Sequence, residues 1–140
     1  MAEVDAAAAA EEPEVDTRGE ITLPLDGVDY HLRPSRKAIS AIEKKLRPLP
    51  ALVAEGSRGD LSLVDMSIIA AELMHAWAEA NPSGERALGH REAKPERLAD
   101  LIFEAGAPGI FTRLLLVLMG AMNGAYTAAG ERKPTETTAD

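Results

Sequence analysis

The chain has no cysteine, which excludes disulfides, thiolate nucleophiles, Cys-ligated zinc and iron–sulfur clusters. Aromatic residues are scarce: one Trp, two Tyr and two Phe in 140 residues leave a core that must be built from aliphatic side chains. A surplus of positive charge is also lacking, since 15 Lys and Arg stand against 23 Asp and Glu for a net charge of −8. Affinity for a phosphate backbone comes from many such cations, so nucleic acid is not an expected partner. No long hydrophobic run is present. The most apolar one, Leu114 to Met122, is bounded by Arg113 and Asn123 and falls short of the roughly 20 residues that cross a bilayer. No membrane association is expected. The N-terminal alanine run, Ala6 to Ala10, is flanked by Glu3, Asp5, Glu11 and Glu12 where an export signal would carry positive charge, so a cytoplasmic location is expected.

What is present reads as an α+β protein with one two-stranded antiparallel β-hairpin packed on about four α-helices. Residues 1 to 18 have the composition of a disordered acidic arm. One domain follows over residues 19 to 129, and residues 130 to 140 read as a polar disordered tail. In the hairpin, Ile21, Leu23 and Leu25 alternate, Asp26-Gly27 turns the chain, and Val28, Tyr30 and Leu32 alternate again. A two-residue turn pairs Leu25 with Val28, Leu23 with Tyr30 and Ile21 with Leu32, placing all six on one face. Thr22, Asp29 and His31 fall on the other, wet face. Pro24 belongs where a missing N–H is not needed by the partner strand.

Helix signals follow at regular intervals. Ser35 caps a helix running to about Arg47 with Ile39, Ile42 and Leu46 buried, and Pro48 and Pro50 end it. Leu49, Leu52 and Val53 make one further turn, stopped at Gly56. Ser62 and Asp65 form an acidic capping box opening a helix to about Ala80, with Met66, Ile69, Ala70, Leu73 and Trp77 as its buried stripe. Residues 83 to 94 lack an apolar period and read as a mobile or functional loop. Pro95 starts the next helix, Gly106 ends it, and residues 108 to 126 form the most apolar segment, expected to be the central helix.

No residue set spells out a reaction. Glu72 and His75 have the Glu-x-x-His spacing of carboxylate-bridged metal sites, but a second such pair and the further glutamates are missing, so both are expected on a solvated face. The serines sit at caps, in loops or in helix interiors with no strand–Ser–helix elbow, and Gly56-Ser57-Arg58-Gly59 lacks the spacing and lysine of a phosphate loop. The expectation is a non-enzyme with no catalytic residues, cofactor or metal.

Two surfaces stand out as candidates for partner binding. Between Arg33 and Arg47 the chain carries Arg33, Arg36, Lys37, Lys44, Lys45 and Arg47 against Glu43 alone. This is either a solvated face or a docking face for an acidic partner, with Arg36, Lys37, Lys44 and Lys45 as its binding residues. On the apolar helix, Arg113, Leu116, Gly120 and Gly124 form a seam whose small residues allow another backbone close, from within the domain or from a second copy.

The run Gly19-Glu20-Ile21 through Leu25-Asp26-Gly27, then Tyr30, Leu32-Arg33-Pro34, Ala38 and Ile42-Glu43, resembles the opening of the small gene-transfer-agent tail proteins of tailed phages and phage-like particles. The helix entered through Leu61-Ser62-Leu63, the stop at Gly106 and the closing Ala- and Leu-rich helix are similar too, so the likeness spans Gly19 to Tyr126. Arg47-Pro48, in place of a glycine ending the first helix, and the long 83 to 94 loop depart from the pattern. The resemblance implies a tail assembly chaperone that binds the apolar, helical tape-measure protein in the bacterial cytoplasm and helps recruit other tail proteins. The alternative it implies is a structural tail tube subunit of the particle, whose hairpin would join intersubunit sheets.

Overall fold

Alternating apolar residues on either side of Asp26-Gly27 produce the hairpin, β1 (Ile21–Leu25) and β2 (Val28–Leu32), in a computed structural model that describes residues 21–84 and 86–134. The acidic arm and residues 135–140 lie outside the described residues. Asp26 and Gly27 both take positive φ, 52° and 75°, as the tight primed turn requires. The register is Ile21↔Leu32, Thr22↔His31, Leu23↔Tyr30, Pro24↔Asp29 and Leu25↔Val28. With Leu25–Val28 closing the turn as a hydrogen-bonded pair, alternation makes Pro24↔Asp29 a non-hydrogen-bonded pair, so the N–H that Pro24 lacks would have pointed away from β2. Ile21, Leu23, Leu25 and Leu32 are buried, Tyr30 is half-buried, and Val28 at the tip is exposed.

Six helices follow among the described residues: α1 (Arg36–Lys45), α2 (Leu49–Ser57), α3 (Leu63–Ala80), α4 (Ala87–Arg91), α5 (Pro95–Ala105) and α6 (Ala107–Met122). Their starts follow local chemistry. The Ser35 hydroxyl accepts from the Ala38 N–H at 3.1 Å to cap α1. Ser62 and Asp65 exchange side-chain-to-backbone hydrogen bonds in the capping box of α3. Pro48 cannot cap α2 with a side chain, and the Glu43 carboxylate does so instead by accepting from the Leu49 N–H at 2.7 Å. Gly106, at φ 99°, is the single residue joining α5 to α6, a joint that a side chain would strain.

The centre of the molecule is α3, not the more apolar α6. It packs against β2, α1, α4, α5 and α6, burying Met66, Ile69, Leu73, Met74 and Trp77, while Ala70, Ala71 and Ala78 let neighbours approach on its other sides. Helix α6 packs on α2, α3, α5 and β1 with Ile110, Leu114, Val117 and Leu118 inward. It ends at Met122, earlier than Tyr126, because Asn123 caps it and Gly124 turns the chain back at φ 78°. Helix α1 likewise stops at Lys45, and α2 runs on through Gly56 to Ser57. The expected 83 to 94 loop contains α4, with Ala87 and His90 buried.

The chain after α6 returns to the hairpin exit. Tyr126 bridges Arg132, and the Lys133 N–H donates to the Ala125 carbonyl at 2.8 Å, so the first residues after Gly130 pair with the chain that precedes them. The Arg36 N–H reaches the Ala128 carbonyl at 2.9 Å, and Arg33 Nε the Ala129 carbonyl at 2.8 Å. Gly130 allows this approach. A Cβ there would lie 2.9 Å from the Ser35 nitrogen, and its φ of 93° is one that side chains rarely adopt.

Candidate partner-binding surfaces

The basic run from Arg33 to Arg47 serves mainly to fasten the fold. Lys45 forms an ion pair with Glu72, whose side chain is only 12% exposed. Lys37 pairs with Glu79 at 3.4 Å on the surface. Arg47, just past the end of α1, bonds Glu55 of α2 and Asp65 of α3 at 2.8 Å each, clamping three elements. Arg33 lies 3.6 Å from Glu131, and Arg36 donates to the Ser40 hydroxyl at 3.3 Å. Lys44 alone of the basic residues in this run makes no side-chain hydrogen bond or ion pair among the described residues. A run that reads as surplus charge in one dimension is largely neutralised in three, by acids 27 and 42 residues away.

The same contacts account for Glu72 and His75. Glu72 turns to Lys45, and His75 Nε2 donates to the Ala93 carbonyl at 2.7 Å, tying α3 to the start of α5. Neither lies on a freely solvated face. No group of three or more His, Asp or Glu that could hold a metal is found among the described residues, nor is any helix of these residues long and apolar enough to cross a membrane.

The seam expected on α6 separates into different roles. Arg113 is buried, with Nη1 3.4 Å from the Thr22 carbonyl, so it lies between α6 and β1. Gly120 is covered from within: a Cβ there would stand 2.9 Å from the Tyr126 ring, so the small residue seats this chain's own aromatic side chain. Burial raises the Tyr126 phenol above its usual value near 10. Gly124 is off the helix, in the turn. Leu116 remains outside at 42% exposed, with Met122 at 40%, and Phe111, Leu115 and Met119 are half-buried. Arg113 is the one charged residue in α6 and it points inward, so the outer face of a 16-residue helix carries no charge. Beside it a groove is lined by Pro34, Ile39, Leu49, Ala121 and Tyr126 together with Arg36 and Thr127, so the charge-free surface is the outer face of α6 itself and not the groove next to it. Solvated helices usually put charges outward, and this outer face presents Leu and Met instead. Val64, Leu88 and Phe103 are also exposed, one each on α3, α4 and α5.

The hairpin carries a feature that the alternation of its residues does not reveal. Its second face is wet only at Pro24 and Asp29; Thr22 is buried, and the His31 ring stacks on Trp77 with centroids 4.6 Å apart. The outer edge of β2 is covered as well. His90 Nε2 accepts from the His31 N–H at 2.7 Å, Arg86 donates to the Asp29 carbonyl at 3.2 Å, and the Arg33 N–H donates to the Leu73 carbonyl at 3.0 Å. On the other side, Arg113 faces the outward Thr22 carbonyl of β1. Covered edges are how sheets avoid pairing with other chains. Burial lowers the His90 pKa from its ordinary 6.5, and nearby His31 and Arg86 lower it further against the opposing pull of the Arg86 carbonyl. Nothing near His90 in the sequence marks it for this role, because its partner strand lies 59 residues earlier.

The fold and its surfaces define a helical protein with a small, edge-protected hairpin and one uncharged helix face. Compared with known proteins, the chain matches no family model, no curated protein and no solved structure.

Proposed function

We propose that this protein is a non-enzymatic tail assembly chaperone of a phage or gene-transfer-agent particle, binding an apolar helical segment of the tape-measure protein. The tail-protein part of this reading rests on the sequence resemblance. The binding part rests on the outer face of α6, where Leu116, Met122 and the half-buried Phe111 and Met119 offer apolar contact with no charge to desolvate. An amphipathic partner helix laid along this face buries its own apolar stripe against them, and so stays soluble before assembly. The covered outer edge of β2 and the shortness of the two-stranded hairpin favour the chaperone over the tail tube subunit, because that subunit needs free strand edges to join its neighbours' sheets.

The test is co-purification of the tape-measure protein with the wild-type chain and with Leu116→Asp. Leu116 is exposed, so the change leaves the core intact while placing a carboxylate in the contact. A loss of at least tenfold in affinity, about 1.4 kcal/mol, with an unchanged melting temperature is expected. Equal recovery with both proteins would remove α6 as the binding face.

A further inference from the structure

The ring of His90 is 1% exposed and both of its nitrogens are engaged. Nδ1 lies 2.8 Å from the Arg86 carbonyl oxygen, which can only accept, so Nδ1 carries the hydrogen. Nε2 lies 2.7 Å from the His31 backbone nitrogen, whose N–H can only donate, so Nε2 is bare. This pair of bonds fixes one neutral tautomer. A second proton has one place to go, Nε2, where it would confront the His31 N–H and remove the hydrogen bond that covers the edge of β2. His75 offers an internal contrast, since its Nε2 meets a carbonyl and protonation leaves that bond intact.

Beyond these bonds α4 is held by its packing on α3 and, two residues past its end, by the His75 bond to the Ala93 carbonyl, with little apolar side chain of its own buried. Of its five residues only Ala87 and His90 are buried, Leu88 is 56% exposed, and the Arg86 to Asp29 contact is at the surface. Local opening of a short helix with so little buried apolar area needs far less free energy than global unfolding. The groups facing His90 are His31 and Tyr30 of β2, with ring centroids 5.6 Å and 5.4 Å away, and Arg86 at the head of α4; α3 presents the indole of Trp77 at 4.4 Å. None of these is an acid that would stabilise an imidazolium.

We propose that α4 is a proton-operated clasp: protonation of His90 releases α4 from β2 and frees the outward Asp29 carbonyl and His31 N–H of the strand. The clasp is closed at neutral pH and opens as the medium acidifies, below the pH at which an ordinary histidine titrates. It is independent of the partner proposed for α6, and its test involves no partner.

Amide hydrogen exchange of His31 in the full chain measures opening directly. Once the intrinsic pH dependence of exchange is removed, one-proton linkage predicts a tenfold rise in the open population for each pH unit below the ordinary histidine range. His90→Gln, which keeps a side-chain acceptor but cannot titrate, should make that population independent of pH. A tenfold slope that persists in His90→Gln, or a wild-type His31 amide that opens only with global unfolding, would overturn the clasp. Imidazole nitrogen NMR of the unmodified protein at pH 7 gives a check independent of any variant: a bare Nε2 on His90 is expected, and a bare Nδ1 would refute the proposal.

Discussion

At the scale of single residues, position in the fold overrides residue type. Three histidines share one chemistry, yet His75 donates to a carbonyl, His31 stacks on an indole and His90 accepts a backbone N–H. The last arrangement has a consequence for stability. Because burial lowers the native His90 pKa below 6.5, the unfolded chain binds a proton more readily than the folded one as pH falls through that value. Stability is therefore full above pH 6.5 and declines by up to about 1.4 kcal/mol per pH unit below it, levelling once native His90 is itself protonated. Denaturant titrations between pH 7.5 and 5 should show this decline in the wild type and a shallower one in His90→Gln. Identical slopes would assign the decline to other groups. None of this is legible in the sequence, since the partners of His90 include a residue 59 positions away. The hairpin register, by contrast, is fully legible, because turn and alternation lie within twelve residues.

At the scale of elements, local signals predict starts and stops well and neighbours poorly. Ser35, the Ser62–Asp65 box, Pro95 and Gly106 act as their chemistry dictates, because a cap is settled within a few residues. The choice of the central helix is different. Apolarity points to α6, but a centre needs neighbours on several sides, and the alanines of α3 supply these through small size, which a hydrophobic stripe does not register. The basic run of α1 is the same lesson in charge. Its lysines are distinguishable only in three dimensions: Lys45→Glu would set two carboxylates together at the largely buried Glu72, whereas Lys44→Glu meets no partner. The first should cost about 1 to 3 kcal/mol, read as a lower denaturation midpoint, and the second should leave the midpoint unchanged. Equal effects would contradict the division of this face into a fastening residue and a free one.

At the scale of the whole molecule, the outer face of α6 carries exposed Leu116 and Met122 and no charge, while the outer edge of β2 and most of the basic residues between Arg33 and Arg47 are engaged within the chain. That division was partly visible in the sequence. Leu116 belonged to the expected seam and is exposed, but Arg113, Gly120 and Gly124 serve the chain's own packing and turning, and no helical wheel shows that Tyr126 folds back onto Gly120. On the proposed reading, the protein binds a helix during assembly and is not part of the finished tail. The direct measurement is quantitative mass spectrometry of purified particles alongside the lysate of the producing cells. The assembly chaperone predicts abundance in the lysate and absence from the particles; many copies per particle would contradict it and identify a structural subunit instead.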